Sequence, residues 1–191
     1  MLEKIAECAA AGVDLVQLRE KDLSARALEE LGLKAMAVLA GSQTRLLINS
    51  RTDVALACGA HGVHLPANDL AASDARAIFA QAGVSEGVIG VSTHSAAEVA
   101  SAEAHGGDFA VFGPVFEKGG TASRKGLEEL RQICHRAEAA QPPMRVLALG
   151  GITLENAPLC VVAGAAGIAA IRLFQQNDVH VVVKRLLSLQ A

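Results

Sequence analysis

Several signatures of common protein classes are missing from this chain of 191 residues. Its four cysteines form no CxxC pair and have no histidine at metal-ligand spacing, which argues against a structural zinc site. They lie far apart in Ala-rich apolar stretches, so we expect small core residues in a reducing cytosol; they are Cys8, Cys58, Cys134 and Cys160. An excess of positive charge is also missing, because 17 Lys and Arg stand against 20 Asp and Glu. That balance indicates neither nucleic acid nor an anionic membrane as a partner.

A long hydrophobic run is absent as well. The most apolar stretch, residues 159–171, is shorter than the ~20 residues of a membrane-spanning helix and is interrupted by Gly164 and Gly167. The first seven residues carry three charges, which is not typical of a secretory signal, and we expect a cytosolic protein. Neither GxGxxG nor GxxxxGK[ST] occurs, and no Ser-His-Asp or Cys-His order stands out. Rossmann, P-loop and nucleophilic-hydrolase functions therefore have no support in the sequence.

A repeated pattern organises the chain. A glycine followed by a short apolar strand occurs in "AGVDLVQLRE", "CGAHGVHLPA", "HGGDFAVFGP" and "AGAAGIAAIR". The repeat glycines, Gly12, Gly59, Gly106 and Gly164, are 47, 47 and 58 residues apart. Three more apolar runs lie between these units, at residues 45–50, 88–94 and 145–151. The seven predicted strands alternate with segments of helical composition, such as 23–40 and 96–105.

This alternation predicts parallel strands covered by helices. Two architectures fit, an open doubly wound sheet and a closed (β/α) barrel. A pair of βα units that is repeated four times along the chain favours the barrel, because the edge strands of an open sheet should differ from its central strands. We therefore predict a (β/α)8 TIM-type barrel, in one domain that spans residues 1–191.

Seven strands are one fewer than that barrel requires. The segment "MLEKIAECAAAG" carries charges at positions 3, 4 and 7 and is predicted to be a helix. Counting back from Gly12 by the interval that separates the other odd-numbered strands from their repeat glycines reaches Met1 or an earlier position. We therefore expect the first strand to be missing from this chain. In the natural protein, residues upstream of Met1 are expected to pair between "VQLRE" and "IAAIR", since unpaired strand edges are poorly tolerated.

The stretch "VQLREKDL" places polar groups at every second position of a predicted strand. Successive side chains of a strand point to opposite faces, so Gln17, Arg19 and Lys21 share one face at intervals of about 7 Å. Neither face of a barrel strand is freely solvated, which disfavours a merely solvated polar face. We therefore place these residues at the C-terminal mouth, where such barrels carry out their chemistry.

The other strand ends add to a predicted ring of polar groups and bare backbone. Its members are Arg19, Lys21, Asn49, Ser50, Arg51, His64, Asp69, Ser92, His94, Gly113, Pro114, Gly150, Gly151 and Arg172. The cations, together with Lys125, indicate an anionic ligand, and phosphate suits the planar fork of Arg and the mobile charge of Lys. The glycines of "LGGIT" let backbone N–H groups approach an oxyanion near the last strands, where barrels often hold phosphate. The histidines and serines are open to a structural interpretation as core residues and helix caps.

These residues resemble the thiamine phosphate synthase and TenI-like family. The resemblance rests on seven motifs in order: "QLREK", the Asn49 and Arg51 of "INSRTD", "GVHL" followed by Asp69, "GVSTHS", "FGPVF", the Lys125 loop and "LALGGIT". It covers nearly the whole chain. It implies a (β/α)8 barrel that joins hydroxymethylpyrimidine diphosphate to thiazole phosphate and releases pyrophosphate, with Mg²⁺ as cofactor.

The resemblance also implies residue roles. It assigns catalysis to Arg19, Lys21 and Lys125, and a Mg²⁺ ligand to Asp69. The implied substrate-binding residues are Gln17, Arg19, Lys21, Asn49, Ser92, Lys125, Gly151 and Ile171. The partners are then small phosphorylated molecules rather than nucleic acid or membrane, and a homo-oligomer is compatible with the sequence.

The chain departs from the family pattern at several positions. Ser50 stands where the synthases carry an aspartate as a second metal ligand, and Arg172 stands where a small residue helps to hold the thiazole phosphate. Pro66-Ala67 replaces the usual "GQ", as in TenI-like proteins, whereas Pro114 stands where the thiazole tautomerase has a histidine. The leading hypothesis is a thiamine phosphate synthase. The alternatives are a TenI-type thiazole tautomerase and a non-catalytic regulatory barrel that binds thiazole phosphate.

Overall fold

A computed structural model describes residues 1–117, 124–141 and 143–189 of the chain, with the side chains of residues 124 and 125 left out. Two compact units, Met1–Ile89 and Gly90–Ala191, make up the chain. Within the described ranges, no helix is both long enough and apolar enough to cross a membrane.

The first unit alternates helices and parallel strands. Its elements are α1 (Leu2–Ala11), β1 (Leu15–Leu18), α2 (Ala25–Leu39), β2 (Arg45–Asn49), α3 (Thr52–Ala57), β3 (Gly62–Leu65) and α4 (Ala72–Gln81). β1 pairs with β2, and β2 pairs with β3, both in parallel. The next strand, β4 (Val88–Thr93), starts in this unit and ends in the second.

The second unit continues the same alternation. After β4 come α5 (Ala96–Ala104), β5 (Phe109–Phe112), α6 (Arg124–Glu138), β6 (Arg145–Leu149), α7 (Ala157–Val162), β7 (Gly167–Ala169), α8 (Arg172–Gln175) and α9 (Val179–Leu187). Parallel pairing joins β4 to β5, β5 to β6 and β6 to β7. The carboxyl ends of these strands therefore lie at one edge of the sheet, and so do the loops that follow them.

The inner strands are apolar on both faces. Leu46, Leu47 and Ile48 are consecutive in β2, and none is more than 2% exposed. All four residues of β5 are buried in the same way. A parallel strand covered on both sides by helices needs such a continuous apolar run. The first and last strands in chain order, β1 and β7, are less buried.

The four repeat glycines end helices in a left-handed conformation. Their φ angles lie between 65° and 97°, and each glycine follows α1, α3, α5 or α7. After α1, for example, the N–H of Gly12 donates to the Ala9 carbonyl and the N–H of Val13 donates to Cys8. Glycine adopts this backbone without the steric cost of a Cβ atom. The repeat seen in the sequence is thus a repeated helix stop immediately before β1, β3, β5 and β7.

The strand pattern predicted from the sequence is confirmed in the described residues. All seven predicted strands are present, and the first element is the predicted helix. The four cysteines are buried, as predicted. β1 is shorter than the alternation indicated, because it ends at Leu18 and leaves Arg19 and Lys21 in the loop before α2. The organisation as a single domain and the missing upstream strand stay predictions.

Candidate active site

Polar side chains from β1, β2 and β3 come together in the first unit. The register places Leu18 beside Ile48, and Asn49 beside His64, so the three strands end at similar heights. The amide Nε2 of Gln17 donates a hydrogen bond to Nδ1 of His64. Asn49 is half-buried at the end of β2, between the two strands that carry this pair.

His64 is an uncharged ring at neutral pH. It is 8% exposed, and burial lowers its pKa to about 4. Because Nδ1 accepts the hydrogen bond from Gln17, the neutral ring carries its proton on Nε2. The structure therefore favours a positioning contact to Gln17 over a cationic or basic role for this histidine.

Ser50 and Asp69 form the next contact of this strand end. The Ser50 hydroxyl donates to Oδ2 of Asp69, while Oδ1 of the same carboxylate accepts the Leu70 N–H at 2.8 Å. Ser50 has a φ of 66°, a left-handed backbone that is uncommon outside glycine, asparagine and aspartate. Its N–H is held by the His64 carbonyl at 2.9 Å. A strained serine thus faces the carboxylate that the sequence assigns to a metal.

Two cations follow β1 without partners of their own. Arg19 and Lys21 are exposed, and neither makes a hydrogen bond or ion pair with the residues that the structure describes. Arg51 differs, because its guanidinium donates to both carboxylate oxygens of Asp53 at 2.8 and 2.6 Å. That fork lowers the pKa of the Asp53 carboxyl. Arg19 and Lys21 are therefore available to an anionic ligand, whereas Arg51 already has an anionic partner.

In the second unit, His94 and Ser92 lie at the end of β4. Nδ1 of His94 donates to the Gly113 carbonyl at 2.6 Å, which leaves Nε2 as the second ring nitrogen of an exposed side chain. The His94 N–H donates to Glu98, and Ser95 caps α5 by accepting the Glu98 N–H at 3.2 Å. Ser92 is half-buried.

A cavity of about 520 Å³ opens beside the ends of β6 and β7. The residues that line it include Gly150, Gly151, Ile152, Thr153, Arg172 and Asn177. The two glycines have φ angles of 101° and 61°. A Cβ atom on Gly150 would lie 2.6 Å from the Cα of Pro114. The loop therefore requires glycine both for its backbone conformation and for its close packing.

The backbone N–H groups of this loop are available to a ligand. Gly150, Gly151 and Ile152 have no acceptor for their N–H groups among the residues that the structure describes. Arg172 and Glu155 add opposite charges to the lining. Backbone N–H groups together with a guanidinium suit a phosphate.

Comparisons with known proteins identify the family. A family model described as thiamine monophosphate synthase matches residues 1–174. The chain belongs to the thiamine monophosphate synthase family. A thiamine-phosphate synthase of Chlorobium luteolum is 37% identical over 170 residues, which cover 89% of this chain and 77% of that protein. One of Gloeobacter violaceus is 38% identical over 90% of this chain, which spans about half, 48%, of that longer relative.

A solved structure of the same family has the same fold. Thiamine phosphate pyrophosphorylase from Pyrococcus furiosus matches with a TM-score of 0.82 at 28% identity, over 98% of this chain and 88% of that chain. This likeness confirms the predicted TIM-type α/β fold class. It also confirms the family that the sequence motifs indicated.

The family motifs fall at strand ends, as the sequence predicted, in both units. In the first unit, Gln17 and Asn49 lie near the ends of β1 and β2, and Ser50 and Asp69 lie in the loops after β2 and β3. Ser92, Gly151 and Ile171 lie at the strand ends of the second, and Ile171 is 63% exposed in the lining of the cavity. Lys125 is the second residue of α6, and its side chain lies outside the described part of the chain. Residues 118–123 also lie outside it. The residue roles stay predictions.

Sequence reasoning missed two contacts that shape this family site. The pairing of Gln17 with His64 joins β1 to β3, which are neighbours only through β2. The second is Asn156, which is 8% exposed and is hydrogen-bonded to the loop at Gly151. A local signal for Asn156 exists, because Thr153 precedes it at the three-residue spacing typical of a capping turn.

Proposed function

We propose that this chain joins the methylene carbon of hydroxymethylpyrimidine diphosphate to the ring nitrogen of thiazole phosphate. The products are thiamine phosphate and pyrophosphate. The observation that carries the proposal is the pair of anion-binding strand ends in a member of this family. One holds Arg19 and Lys21, and the other holds the N–H groups of Gly150 and Gly151 beside Arg172, all without a partner in the ranges that the structure describes.

The first unit supplies the diphosphate side in this proposal. Arg19 and Lys21 bind the diphosphate oxygens. Gln17 also binds the diphosphate, and Asn49 contacts both the pyrimidine and the diphosphate. His64 restricts the Gln17 amide by accepting its hydrogen bond. The family resemblance assigns pyrophosphate contacts to Lys125 and Ser92 as well. These groups stabilise the charge that develops as the carbon–oxygen bond breaks.

Mg²⁺ is the proposed cofactor. The residues present fit a Mg²⁺ site to which the substrate diphosphate contributes part of the ligands. Among the described residues, no group of three or more His, Cys, Asp or Glu is placed to hold a metal. Asp69 offers one carboxylate and Ser50 one hydroxyl, already in contact. Mg²⁺ commonly binds through one or two carboxylates, several waters and substrate phosphates, so Asp69 with a diphosphate completes a familiar set. When bound there, Mg²⁺ neutralises charge on the departing pyrophosphate.

The second unit supplies the thiazole phosphate side. Its phosphate accepts hydrogen bonds from the N–H groups of Gly150, Gly151 and Ile152 and pairs with Arg172. Ile171 is exposed in the same cavity and offers an apolar surface to the thiazole ring. The thiazole nitrogen donates its electron pair to the methylene carbon, and the electron pair of the broken carbon–oxygen bond leaves with pyrophosphate.

A second candidate function is isomerisation of a thiazole carboxylate phosphate. Ser50 favours it, because a hydroxyl is a weaker Mg²⁺ ligand than the aspartate of the synthases. A third candidate is a non-catalytic barrel that binds thiazole phosphate, because Ser50 replaces one of the two metal ligands of the synthases. Arg19 and Lys21, which have no partner in the described part of the chain, favour the synthase, since an isomerase has no diphosphate to hold.

One assay separates the three functions. The chain is supplied with hydroxymethylpyrimidine diphosphate, thiazole phosphate and Mg²⁺, and thiamine phosphate is measured by its fluorescence after oxidation. We expect product in proportion to enzyme, and none from the Arg19→Ala, Lys21→Ala double variant. Conversion of thiazole carboxylate phosphate without thiamine phosphate would support the isomerase. Binding of thiazole phosphate without any turnover would support the non-catalytic barrel.

A further inference from the structure

We propose that Asn156 is a positioning residue that holds the Gly150–Ile152 loop in its anion-binding form. Its amide Nδ2 donates to the Gly151 carbonyl at 3.0 Å, and its Oδ1 accepts the Thr153 N–H at 2.8 Å. Its own N–H donates to the Thr153 hydroxyl at 3.4 Å. One buried side chain therefore bonds the loop on both sides of Ile152.

Asn156 precedes α7 but does not cap it. It occupies the N-cap position of Ala157–Val162, yet its side chain makes no capping hydrogen bond to that helix. An asparagine at an N-cap normally accepts an N–H from the first turn of the helix. Here both ends of the amide are used by the preceding loop instead, so the side chain stabilises the loop rather than the helix.

The contact to Gly151 completes a series of three fixed carbonyl groups. The Leu149 carbonyl accepts the Val115 N–H at 2.8 Å, and the Gly150 carbonyl accepts the Phe116 N–H at 3.1 Å. The Gly151 carbonyl is held by Asn156. Two of these contacts come from the backbone after β5, and the third depends on a single side chain.

Fixing these carbonyls also fixes the N–H groups that follow them. In a trans peptide the C=O of one residue and the N–H of the next point in opposite directions. The N–H groups of Gly150, Gly151 and Ile152 are thus directed away from the three hydrogen-bond partners, and all three residues line the cavity. Because both glycines have positive φ and few steric limits, the Gly151–Ile152 peptide can rotate once Asn156 releases its carbonyl.

The ligand that this loop would hold is a phosphate monoester. The identity of that ester as thiazole phosphate rests on the proposed function, whereas the positioning role rests on the hydrogen bonds alone. Loss of the Asn156 contact is expected to weaken phosphate binding through the orientation of the N–H groups. The KM for the substrate that carries the diphosphate should not change.

The decisive variant is Asn156→Asp. It keeps an oxygen to accept the Thr153 N–H but loses the donor to the Gly151 carbonyl. A matched control exists in Asn177→Asp, since Asn177 lines the same cavity and its Nδ2 donates to a backbone carbonyl, that of Leu173, at 2.9 Å. Both variants add one carboxylate and remove one amide donor, but only the first releases the loop. Asn156→Ala serves as a second variant without added charge.

Backbone amide NMR of the full chain supplies the direct measurement, with inorganic phosphate and thiazole phosphate as probes. In the wild type, the amide signals of Gly150, Gly151 and Ile152 should shift on titration, and the Asn156 side-chain amide should follow with the same Kd. Asn156→Asp and Asn156→Ala should weaken Kd by at least about tenfold, the value of one lost polar contact. Asn177→Asp should weaken it by no more than about threefold, because solvent and salt screen the repulsion between the added carboxylate and the phosphate.

Kinetics then separates positioning from general loss of structure. The KM for thiazole phosphate should rise with the Kd, while the KM for the pyrimidine diphosphate stays within about twofold because its contacts are untouched. An equal rise in Kd for Asn156→Asp and Asn177→Asp would overturn the positioning role. The same holds if the loop amide signals of the wild type do not shift with either probe. Product formation in those same samples would leave the proposed function standing. Binding of thiazole phosphate through the loop without product would reject the synthase and retain the role of Asn156.

Discussion

The Ser50 hydroxyl donates to the Asp69 carboxylate from a backbone with a φ of 66°. A serine rarely occupies this region, whereas aspartate, asparagine and glycine do so at lower cost. The left-handed backbone at position 50 thus suits an aspartate better than the serine that occupies it. Backbone strain of this kind is typical of ligand-binding sites, which supports the choice of this strand end as a candidate site.

Ser50→Asp should tighten metal binding. A second carboxylate beside Asp69 raises the charge of the ligand set, and we expect Mn²⁺ binding on the order of tenfold tighter, measured by electron paramagnetic resonance. Without metal, two adjacent carboxylates repel, so the melting temperature should fall below that of the wild type and recover with Mg²⁺. Ser50→Asn is the control, because it suits the same backbone without adding charge. Equal metal affinity in the aspartate and asparagine variants would place residue 50 away from the metal.

Arg19→Ala and Lys21→Ala should each weaken binding of the pyrimidine diphosphate. A charge-assisted contact contributes about 1.5–3 kcal/mol, so calorimetry should show a loss of roughly ten- to a hundredfold in Kd. The free energy of unfolding should change by less than about 0.5 kcal/mol, since both side chains are exposed and unpartnered. Arg26→Ala removes a similar charge from the surface of α2, where the side chain is 89% exposed, and should leave Kd unchanged. Parallel losses of stability and affinity in the two variants would indicate a structural role.

His64 should make the stability of the chain depend on pH. Its folded pKa of about 4 lies below the ordinary value of 6.5, so the unfolded chain takes up the proton first as the pH falls. The contribution is complete above about pH 6.5 and is lost towards pH 4, up to about 3 kcal/mol. His61 acts in the same direction, since burial lowers its pKa as well.

Urea unfolding between pH 4 and pH 7 measures this effect. His64→Gln keeps an acceptor for the Gln17 amide but does not titrate, so its stability curve should be flatter across this interval than that of the wild type. Curves of the same slope in both proteins would show that His64 is not buried as the structure places it.

The strands and their order could be predicted because parallel buried strands leave a strong local signal. Leu46 to Ile48 form an unbroken apolar run, and the repeat glycines mark where each preceding helix ends. The end of β1 could not be predicted, since alternating polar residues look alike in a strand and in the loop that holds Arg19 and Lys21. Such boundaries depend on which backbone groups find partners in the sheet, and sequence alone does not show that.

The side-chain contacts of the site were harder to foresee for a different reason. The hydrogen bond between Gln17 and His64 depends on the register of β1 and β3 against β2, which no local pattern encodes. The left-handed Ser50 runs against the preferences of its residue type. The spacing of Thr153 and Asn156 is typical of a capping turn, but the hydrogen bond from the Asn156 amide to Gly151 follows only from the folded loop.

Thr52→Val should stabilise the chain. Thr52 follows Arg51 at the start of α3 and is 4% exposed, and its hydroxyl oxygen is a buried polar atom without a hydrogen-bond partner among the described residues. Replacing it with an isosteric methyl group removes that desolvation cost, with an expected gain of about 1 kcal/mol in the free energy of unfolding. Thr93→Val is the matched control, because Thr93 is fully buried but its hydroxyl donates to the Val111 carbonyl at 3.3 Å. That variant should lose about 1 kcal/mol, since it leaves a buried carbonyl without its side-chain donor. Urea unfolding of both proteins tests the pair, and a loss of stability in Thr52→Val would mean that the hydroxyl binds a water or another group in solution.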